Sequence, residues 1–378
     1  RSRRQRQMCI RDRLSRNKSL SVPPPIAVIK AIKVIPNQSC FCLSSPAKAP
    51  EIANTTVPKS SNKYCMVIKV LLYFLFLHHF CKYKNIEVLI VLKQFTIAFY
   101  NVENFYARQL HTTDEESFIV GNKQKWNTSR YAKKLDQVCT TLHHLGRQET
   151  GSSPTFIGLA EVENALVLED IVSHPQLFSD GYDYIFYDSL DERNINVALL
   201  YKKDETTILD SKPIRVVFRN TLGIRSYTRD VLWVKAKHCD EILHLYVLHL
   251  PSRRGGLLNQ HKRSNILQVL KNELDILYAK EHEPNIVMMG DFNDTPNNSQ
   301  LINILSTKAN LQDVRSNDLF NPFVKMMNYD TGTIVYKKQR LIFDQMLFSK
   351  NFIKKDSFFH WKKSQIFNPN KFIFNNIN

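Results

Sequence analysis

Carboxylate, amide and imidazole side chains interrupt apolar runs at five places in the chain. Each apolar run predicts a buried β-strand, so the polar residues fall where strands end or begin. They are Asn101 and Glu103, Glu161 and Glu163, His249, Asp291 and Asn293, and Asp344. Successive side chains of a strand point to opposite faces, and residues two apart therefore share a face. We expect these strand ends to form one polar surface.

This set of side chains favours one kind of chemistry. Carboxylate and amide oxygens without cysteine form a site that suits Mg²⁺ or Mn²⁺ better than zinc. Such an ion polarises a phosphoryl oxygen, while amide and imidazole groups bind other phosphate oxygens and a carboxylate orients a water. The sequence therefore predicts a metal-dependent reaction at phosphorus.

Each polar residue taken alone has a simpler explanation. Acidic and amide residues are common where strands end, because they satisfy loop backbone groups and stay hydrated. A single histidine such as His249 is more often structural than catalytic. Asp344 is harder to explain in this way, because a carboxylate among Ile342, Phe343 and Met346 is costly to bury without a partner. It is the recurrence of the pattern that favours a shared site.

Short apolar runs alternate with helical patterns from about residue 95 onwards. The predicted strands are Phe95–Tyr100, Thr155–Glu161, Tyr184–Tyr187, Val197–Tyr201, Val231–Lys235, Leu243–His249, Asn285–Asp291 and Phe343–Phe348. Apolar steps of three and four predict a helix through Tyr131, Leu135, Val138, Leu142 and Leu145, capped by Thr128 or Ser129, and another through Ile266, Leu270, Leu274 and Leu277. This alternation indicates α/β or α+β layers with at least one mixed sheet.

The polar strand ends also carry a family resemblance. The segments NVEN (101–104), GLAEVEN (158–164), NVALLY (196–201), LHLPSRRGG (248–256), GDFND (290–294) and FDQ (343–345) follow one another in the chain. In this order they resemble the endonuclease/exonuclease/phosphatase family of Mg²⁺-dependent phosphoesterases, over roughly residues 95–367. The chain is similar in particular to bacterial members with a W…RY…K segment, here Trp126, Arg130, Tyr131 and Lys134. The resemblance implies the DNase I-like fold, a four-layer α/β sandwich in which two packed mixed β-sheets are flanked by helices.

The resemblance also implies roles for individual residues. Glu161 matches the principal Mg²⁺ ligand, and Asn101 and Glu103 match groups that bind the metal or support its ligand. Mn²⁺ is the alternative ion. Asp344 matches an acidic residue that positions the metal or a catalytic histidine.

The other matched positions concern the substrate. Asp291 matches the residue that orients or activates the attacking water, and Asn293 the residue that holds the phosphate. His249 matches a group that contacts the phosphate or assists the leaving group. Arg253 and Arg254 lie in the glycine-rich loop that follows, where we expect them either to contact phosphate or to belong to a hydrated surface turn.

One part of the family pattern has no counterpart in this chain. The family domain ends in a Ser-Asp-His block, and His360, the only histidine after Asp344, has no aspartate before it. We expect the domain to be incomplete at its C-terminus. The sequence therefore leaves two functions open: a phosphoesterase, either nuclease or phosphatase, and an inactive member that binds phosphate ligands or is a fragment without function.

Charge is unevenly distributed along the chain. The formal net charge is +17, but residues 1–65 carry thirteen Lys and Arg against Asp12 and Glu51. The remaining residues are only mildly basic, which permits a nucleic-acid substrate without requiring one. The expected partner is a phosphate ester, with no protein partner and a monomeric state.

Three segments are predicted. Residues 1–65 contain Pro23, Pro24 and Pro25 and read as a disordered or spurious leader, with a basic nucleic-acid-binding arm as the alternative. Residues 66–93 begin with an apolar stretch that is shorter than the ~20 residues of a membrane span. Its alternatives are a signal peptide, a membrane tether and an out-of-frame translation. The expected location is cytoplasmic, or secreted or membrane-associated if residues 66–80 act as a signal. Residues 94–378 form the predicted domain.

Overall fold

The strands that carry the polar residues belong to two mixed β-sheets. The computed structural model describes residues 26–29, 32–34, 94–107, 126–219, 223, 225–328, 331–336, 338–354 and 357–368. All of them belong to one compact unit, which comprises residues 1–35 and 94–378. The apolar stretch of residues 66–93 lies outside the described residues. No helix in the described ranges has the length and apolar character needed to cross a membrane.

The strands follow in chain order. They are β1 (Ile26–Ile29), β2 (Ile32–Val34), β3 (Gln94–Phe95), β4 (Ile97–Phe105), β5 (Phe156–Val162), β6 (Tyr182–Phe186), β7 (Asn196–Lys202), β8 (Thr206–Ile214), β9 (Phe218–Arg219), β10 (Arg225–Ser226), β11 (Val231–His238), β12 (Glu241–His249), β13 (Asn285–Asp291), β14 (Thr307–Lys308), β15 (Leu319–Phe320), β16 (Ile334–Tyr336), β17 (Gln339–Leu341), β18 (Asp344–Ser349), β19 (Phe359–Trp361) and β20 (Ser364–Phe367).

Six α-helices and four 3-10 helices are found in the described residues. The α-helices are α1 (Thr128–His144), α2 (Arg147–Thr150), α3 (Ala165–Val172), α4 (Pro175–Phe178), α5 (Gly256–Lys280) and α6 (Ser299–Ile304). The 3-10 helices are Arg253–Gly255, Leu311–Asp313, Pro322–Met326 and Lys350–Ile353.

Two large sheets organise the fold. The first has the strand order β20-β1-β4-β5-β7-β6, and the second has the order β14-β15-β18-β13-β12-β11-β8. Each sheet is mixed, because β4 and β5 run parallel in the first, and β12 and β13 run parallel in the second. Smaller sheets are formed by β19-β2-β3, β9-β10 and β16-β17.

The sheets pack face to face, with helices on the outside. Phe99 and Phe156 of the first sheet belong to one buried cluster with Leu245 and Met289 of the second. The outer face of the first sheet packs against α1 and α3, and that of the second sheet packs against α5 and α6. The four-layer α/β sandwich that the family resemblance implied is confirmed.

The predicted elements are found with small shifts at their ends. All eight predicted strands coincide with observed ones, and Asn285–Asp291 has the predicted bounds. Both predicted helices are present as α1 and α5. The predicted cap of α1 is wrong: Asn127, not Thr128 or Ser129, caps the helix, because its extended backbone lets its side chain accept from the Arg130 N–H.

Two strands fall in the segment that was expected to lack regular structure. β1 pairs with both β4 and β20, and β2 pairs with both β3 and β19. Their sequences, IAVI and IKV, are rich in the β-branched residues that favour strands. The expectation of a leader without regular elements is therefore wrong for these seven residues, and the rest of 1–65 lies outside the described residues.

Candidate active site

Glu161 lies at an irregular point of β5. The pairing of β5 with β7 shifts register between Ala160 and Val162, and Glu161 has a left-handed backbone with φ +66°. A non-glycine residue in this region costs about 1–3 kcal/mol, and such strain often marks a functional position. The Glu161 carboxylate is held by the Asn104 N–H, which donates to Oε2 over 2.7 Å.

Asp291 stands between two polar neighbours in the second sheet. It ends β13, where it pairs with His249 of parallel β12 and with Asp344 of antiparallel β18. Because β18 runs in the opposite direction, its first residue meets the last residue of β13. The Asp291 Oδ1 accepts from the Asn293 N–H over 2.7 Å, which fixes the carboxylate at the start of the following turn.

Polar groups of the two sheets meet at this end of the sandwich. The Asn101 Nδ2 lies 3.1 Å from the Asp291 Oδ2 and 3.4 Å from the Glu161 Oε1. The His249 Nε2 lies 3.7 Å from the same two oxygens. The structure therefore brings together Glu161, Asp291, His249 and Asn101, which the sequence had placed on four separate strands.

Burial sets the protonation chemistry of this cluster. It raises the pKa of Asp291, and it raises the pKa of Asp344 well above the ordinary value, with the charges of Asp291 and Glu161 adding to the shift. Burial also lowers the pKa of His249, and the charges of Arg229 and Arg193 lower it further. The imidazole is therefore neutral near pH 7, and the crowded carboxylates favour a bound cation.

The two remaining acidic residues of the pattern behave differently. The negative charge of Glu103 contributes to the raised pKa of Asp344, so its carboxylate lies within electrostatic reach of the cluster. Glu163 is instead occupied elsewhere, because its Oε2 accepts from the Ala107 N–H over 2.6 Å. Lys134 of the W…RY…K segment donates its Nζ to the Glu103 carbonyl.

The residues matched to phosphate binding are largely engaged by the protein itself. The Asn293 Nδ2 donates to the Leu250 carbonyl over 2.8 Å. Arg253 forms an ion pair with Asp294 and stacks on the Phe343 ring, with its guanidinium 4.9 Å from the ring centroid. Arg254 is exposed. In this arrangement Arg253 connects the glycine-rich loop to the turn after β13.

Sequence reasoning missed Arg229 and Asp191. Arg229 is buried, and it donates to the Asp191 Oδ2 and to the Leu250 carbonyl, each over 3.1 Å. The signal was present as Thr228-Arg229-Asp230, a polar triplet directly before the apolar strand β11. Most of the predicted site residues lie where an apolar strand ends, whereas this polar triplet lies before a strand begins.

His360 lies far along the fold from this cluster. It belongs to β19, which pairs with β2, and β2 pairs with β3, which precedes the first residue of β4. Asn101 and Glu103 lie towards the other end of β4. His360, which has no aspartate before it, is therefore placed towards the opposite end of β4 from these two residues.

The comparison with known protein families gives a match over most of the chain. Residues 96–376 match a family model described as "Endonuclease/Exonuclease/phosphatase family". The chain belongs to this family. Members of the endonuclease/exonuclease/phosphatase family hydrolyse phosphoric esters, and this is the class of activity that the match supports. A search of curated proteins gave no match.

The comparison with solved structures gives matches at low sequence identity. An endonuclease/exonuclease/phosphatase family protein from Bacteroides thetaiotaomicron is 14% identical, with a TM-score of 0.44 over 68% of this chain and 81% of that one. A mannosyl-6-phosphatase from the same organism is 16% identical, with a TM-score of 0.42 over 67% and 84%. A humanized D. rerio TDP2 is 13% identical, with a TM-score of 0.44 over 67% and 82%.

Proposed function

We propose that the protein is a Mg²⁺-dependent phosphoesterase that cleaves a phosphodiester or phosphomonoester by direct attack of water. One observation carries the proposal: Asn101 links Glu161 of one sheet to Asp291 of the other, so that the carboxylates converge beside a neutral His249. Buried like charges at close range are costly unless a cation or a substrate compensates them.

The residues present fit a magnesium ion. Mg²⁺ is usually held by one or two carboxylates and keeps several waters, so it does not need a complete cage of protein ligands. In the described residues, no group of three His, Cys, Asp or Glu side chains is arranged to hold a metal ion, so in this proposal water would supply the remaining ligands. Glu161 would hold the ion, with Asn101 and Glu103 supporting it. When bound, Mg²⁺ or Mn²⁺ supplies a Lewis acid that polarises the phosphoryl oxygen.

Asp291 and His249 would carry the remaining chemistry. The raised pKa of Asp291 makes its carboxylate a better hydrogen-bond acceptor for a water than an exposed aspartate. The Asn293 N–H holds Oδ1 of that carboxylate, and the Asn101 amide donates to Oδ2, which has a second lone pair that would orient the water. A neutral His249 can donate a hydrogen bond to a phosphate oxygen. Asp344 lies opposite Asp291 in the sheet, where it places a second carboxyl group next to that of Asp291.

The proposal is tested by release of p-nitrophenol from bis-p-nitrophenyl phosphate, for a diester, and from p-nitrophenyl phosphate, for a monoester. Hydrolysis should require Mg²⁺ and stop with EDTA. Asp291→Asn should lower kcat by about 10²–10⁴-fold, the range for loss of a proton-transfer group. The matched control is Asp275→Asn on the exposed side of α5. Equal rates for wild type and Asp291→Asn would remove Asp291 from the mechanism.

The position of His360 favours a second candidate function. In the described part of the chain, His249 is the histidine that reaches the cluster, and the terminal Asp-His pair of the family pattern has no counterpart there. A protein with this site could bind phosphate ligands without turning them over. Binding of inorganic phosphate by a protein that shows no Mg²⁺-dependent release of p-nitrophenol would favour this alternative.

A further inference from the structure

A cleft of about 250 Å³ opens beside the proposed active site. Its walls come from three loops and the beginning of α5, and they include Glu192, Arg193, Arg229, Ser252 and Lys262. Pro251 and Ser252 of this wall follow His249 and Leu250 directly in the chain. The cleft therefore lies next to the end of β12 that carries His249.

The Leu250 carbonyl connects the wall of the cleft to the turn that follows Asp291. The Leu250 oxygen accepts from the Arg229 Nη2 over 3.1 Å, on the side of the cleft, and from the Asn293 Nδ2 over 2.8 Å, on the side of Asp291. The charges of Arg229 and Arg193 also reach His249, whose pKa they lower. A substrate with its scissile phosphate at His249 and Asp291 would extend into this cleft.

The charges that line the cleft favour an anion. Arg229 and Asp191 form a buried pair 3.1 Å apart, with side chains only 6% and 7% exposed, and they largely neutralise each other. Arg193 lines the cleft and lies 3.8 Å from Asp191, and its side chain is 49% exposed to solvent. Lys262 adds a second cation, held with its Nζ 5.3 Å from the Phe218 ring centroid. Exposed Glu192 opposes them, which leaves two cations against one anion.

We infer that this cleft is a second anion subsite, which binds a phosphate that the substrate carries beyond the ester being cleaved. The inference rests on the proposed function, because it assigns a substrate class to the same site. Arg193 and Lys262 would donate charge-assisted hydrogen bonds to this second phosphate. The cleft is larger than a phosphate group, so it also has room for part of the group that connects the two phosphates.

Binding of matched ligands tests the subsite. Deoxythymidine 3′,5′-bisphosphate is compared with deoxythymidine 5′-monophosphate by calorimetry with Mg²⁺, in the Asp291→Asn background to suppress turnover. The bisphosphate should bind roughly 10-fold or more tightly than the monophosphate, the effect of one charge-assisted contact. Lys262→Gln and Arg193→Gln should each remove most of this advantage.

Two further variants separate charge from structure. Glu192→Gln removes the opposing charge and should increase the preference for the bisphosphate, whereas Lys133→Gln, on the exposed face of α1, should leave the preference as it is. Equal affinity for the two ligands, or a preference that ignores Lys262, Arg193 and Glu192, would overturn the subsite. Because calorimetry measures binding, it tests the subsite even in a protein that does not hydrolyse bis-p-nitrophenyl phosphate. A failure of hydrolysis would contradict only the proposed function.

A second pair of ligands identifies the source of the phosphate. Fructose 1,6-bisphosphate is compared with fructose 6-phosphate under the same conditions. A Lys262-dependent advantage for both bisphosphates supports a subsite for phosphate in general, and an advantage for the nucleotide alone supports a nucleic-acid strand.

Discussion

Asp344 shows what a single buried carboxylate costs this fold. Burial raises its pKa well above the ordinary value, and the charges of Asp291 and Glu161 raise it further. The hydroxyl oxygen of Thr333 accepts from the Asp344 N–H over 3.1 Å, which holds the start of β18 in place. A buried carboxylate beside two others destabilises the metal-free protein. Residues that lower stability in this way are typically retained for function.

This cost predicts a pH dependence of stability. Because the folded pKa of Asp344 lies above the unfolded one, the folded protein loses stability as pH rises from the unfolded pKa through the folded pKa, by up to about 1.4 kcal/mol per pH unit. Asp344→Asn removes this loss. In EDTA, thermal unfolding of wild type and Asp344→Asn should agree near pH 4, and the variant should be the more stable at pH 8. A difference in thermal stability between the two proteins that stays the same at all pH values would contradict the raised pKa of Asp344.

At the scale of elements, the close approach of β12 and β13 aligns His249 with Asp291. Gly290 makes this approach possible, because a Cβ at this position would overlap the Leu248 carbonyl oxygen of the neighbouring strand. At Gly158 of β5, by contrast, a Cβ would meet the Met289 Sδ at 2.9 Å, the far end of a flexible side chain. An added Cβ at Gly290 therefore requires the backbone to move, whereas an added Cβ at Gly158 requires only a side chain to move.

This difference predicts two outcomes for one type of substitution. Gly290→Ala must separate β12 from β13 and should cost more than the ~1–3 kcal/mol of ordinary overpacking. It should also lower kcat/KM, because His249 and Asp291 move apart. Gly158→Ala should stay within that range and retain most activity. Urea unfolding and the p-nitrophenol assay measure both effects, and equal losses in the two variants would show that the β12–β13 contact has no special role.

The sequence predicts the strands of this site better than their irregularities. Fully buried strands such as β13 read as continuous apolar runs, and their polar ends stand out. β8 was missed because it is an edge strand with several exposed residues and Pro213 near its end. The bulge at Glu161 depends on pairing with β7, and the Arg229–Asp191 pair joins residues 38 positions apart. The bulge follows from no local pattern. The polar triplet before β11 could have marked Arg229, but its pairing with Asp191 could not be predicted from it.

At the scale of the whole molecule, β1 determines whether β4 is an interior or an edge strand. It lies between β4 and β20, with Ala27 opposite Phe99 and Val28 opposite Ala98. An exposed strand edge leaves backbone N–H and C=O groups unpaired and promotes aggregation. The strand that covers this edge comes from the basic segment that precedes the predicted domain.

Two truncations test this arrangement. A chain without residues 1–25 retains β1 and β2, whereas a chain without residues 1–35 loses both. The longer truncation should unfold at a temperature several degrees lower, at about 2–4 °C per kcal/mol lost, and give less soluble protein. The shorter truncation should match the full chain. Identical melting temperatures for all three would instead support a dispensable leader.

The central claim is that the carboxylates brought together at the ends of the two sheets form one divalent-cation site. Titration with Mn²⁺, followed by the EPR signal of the free ion, measures it directly. Glu161→Gln should weaken Mn²⁺ binding by at least ~10-fold, whereas Glu163→Gln should bind as wild type does, because this carboxylate is already engaged by the Ala107 N–H. Equal Mn²⁺ affinity in wild type and in both variants would contradict the claim.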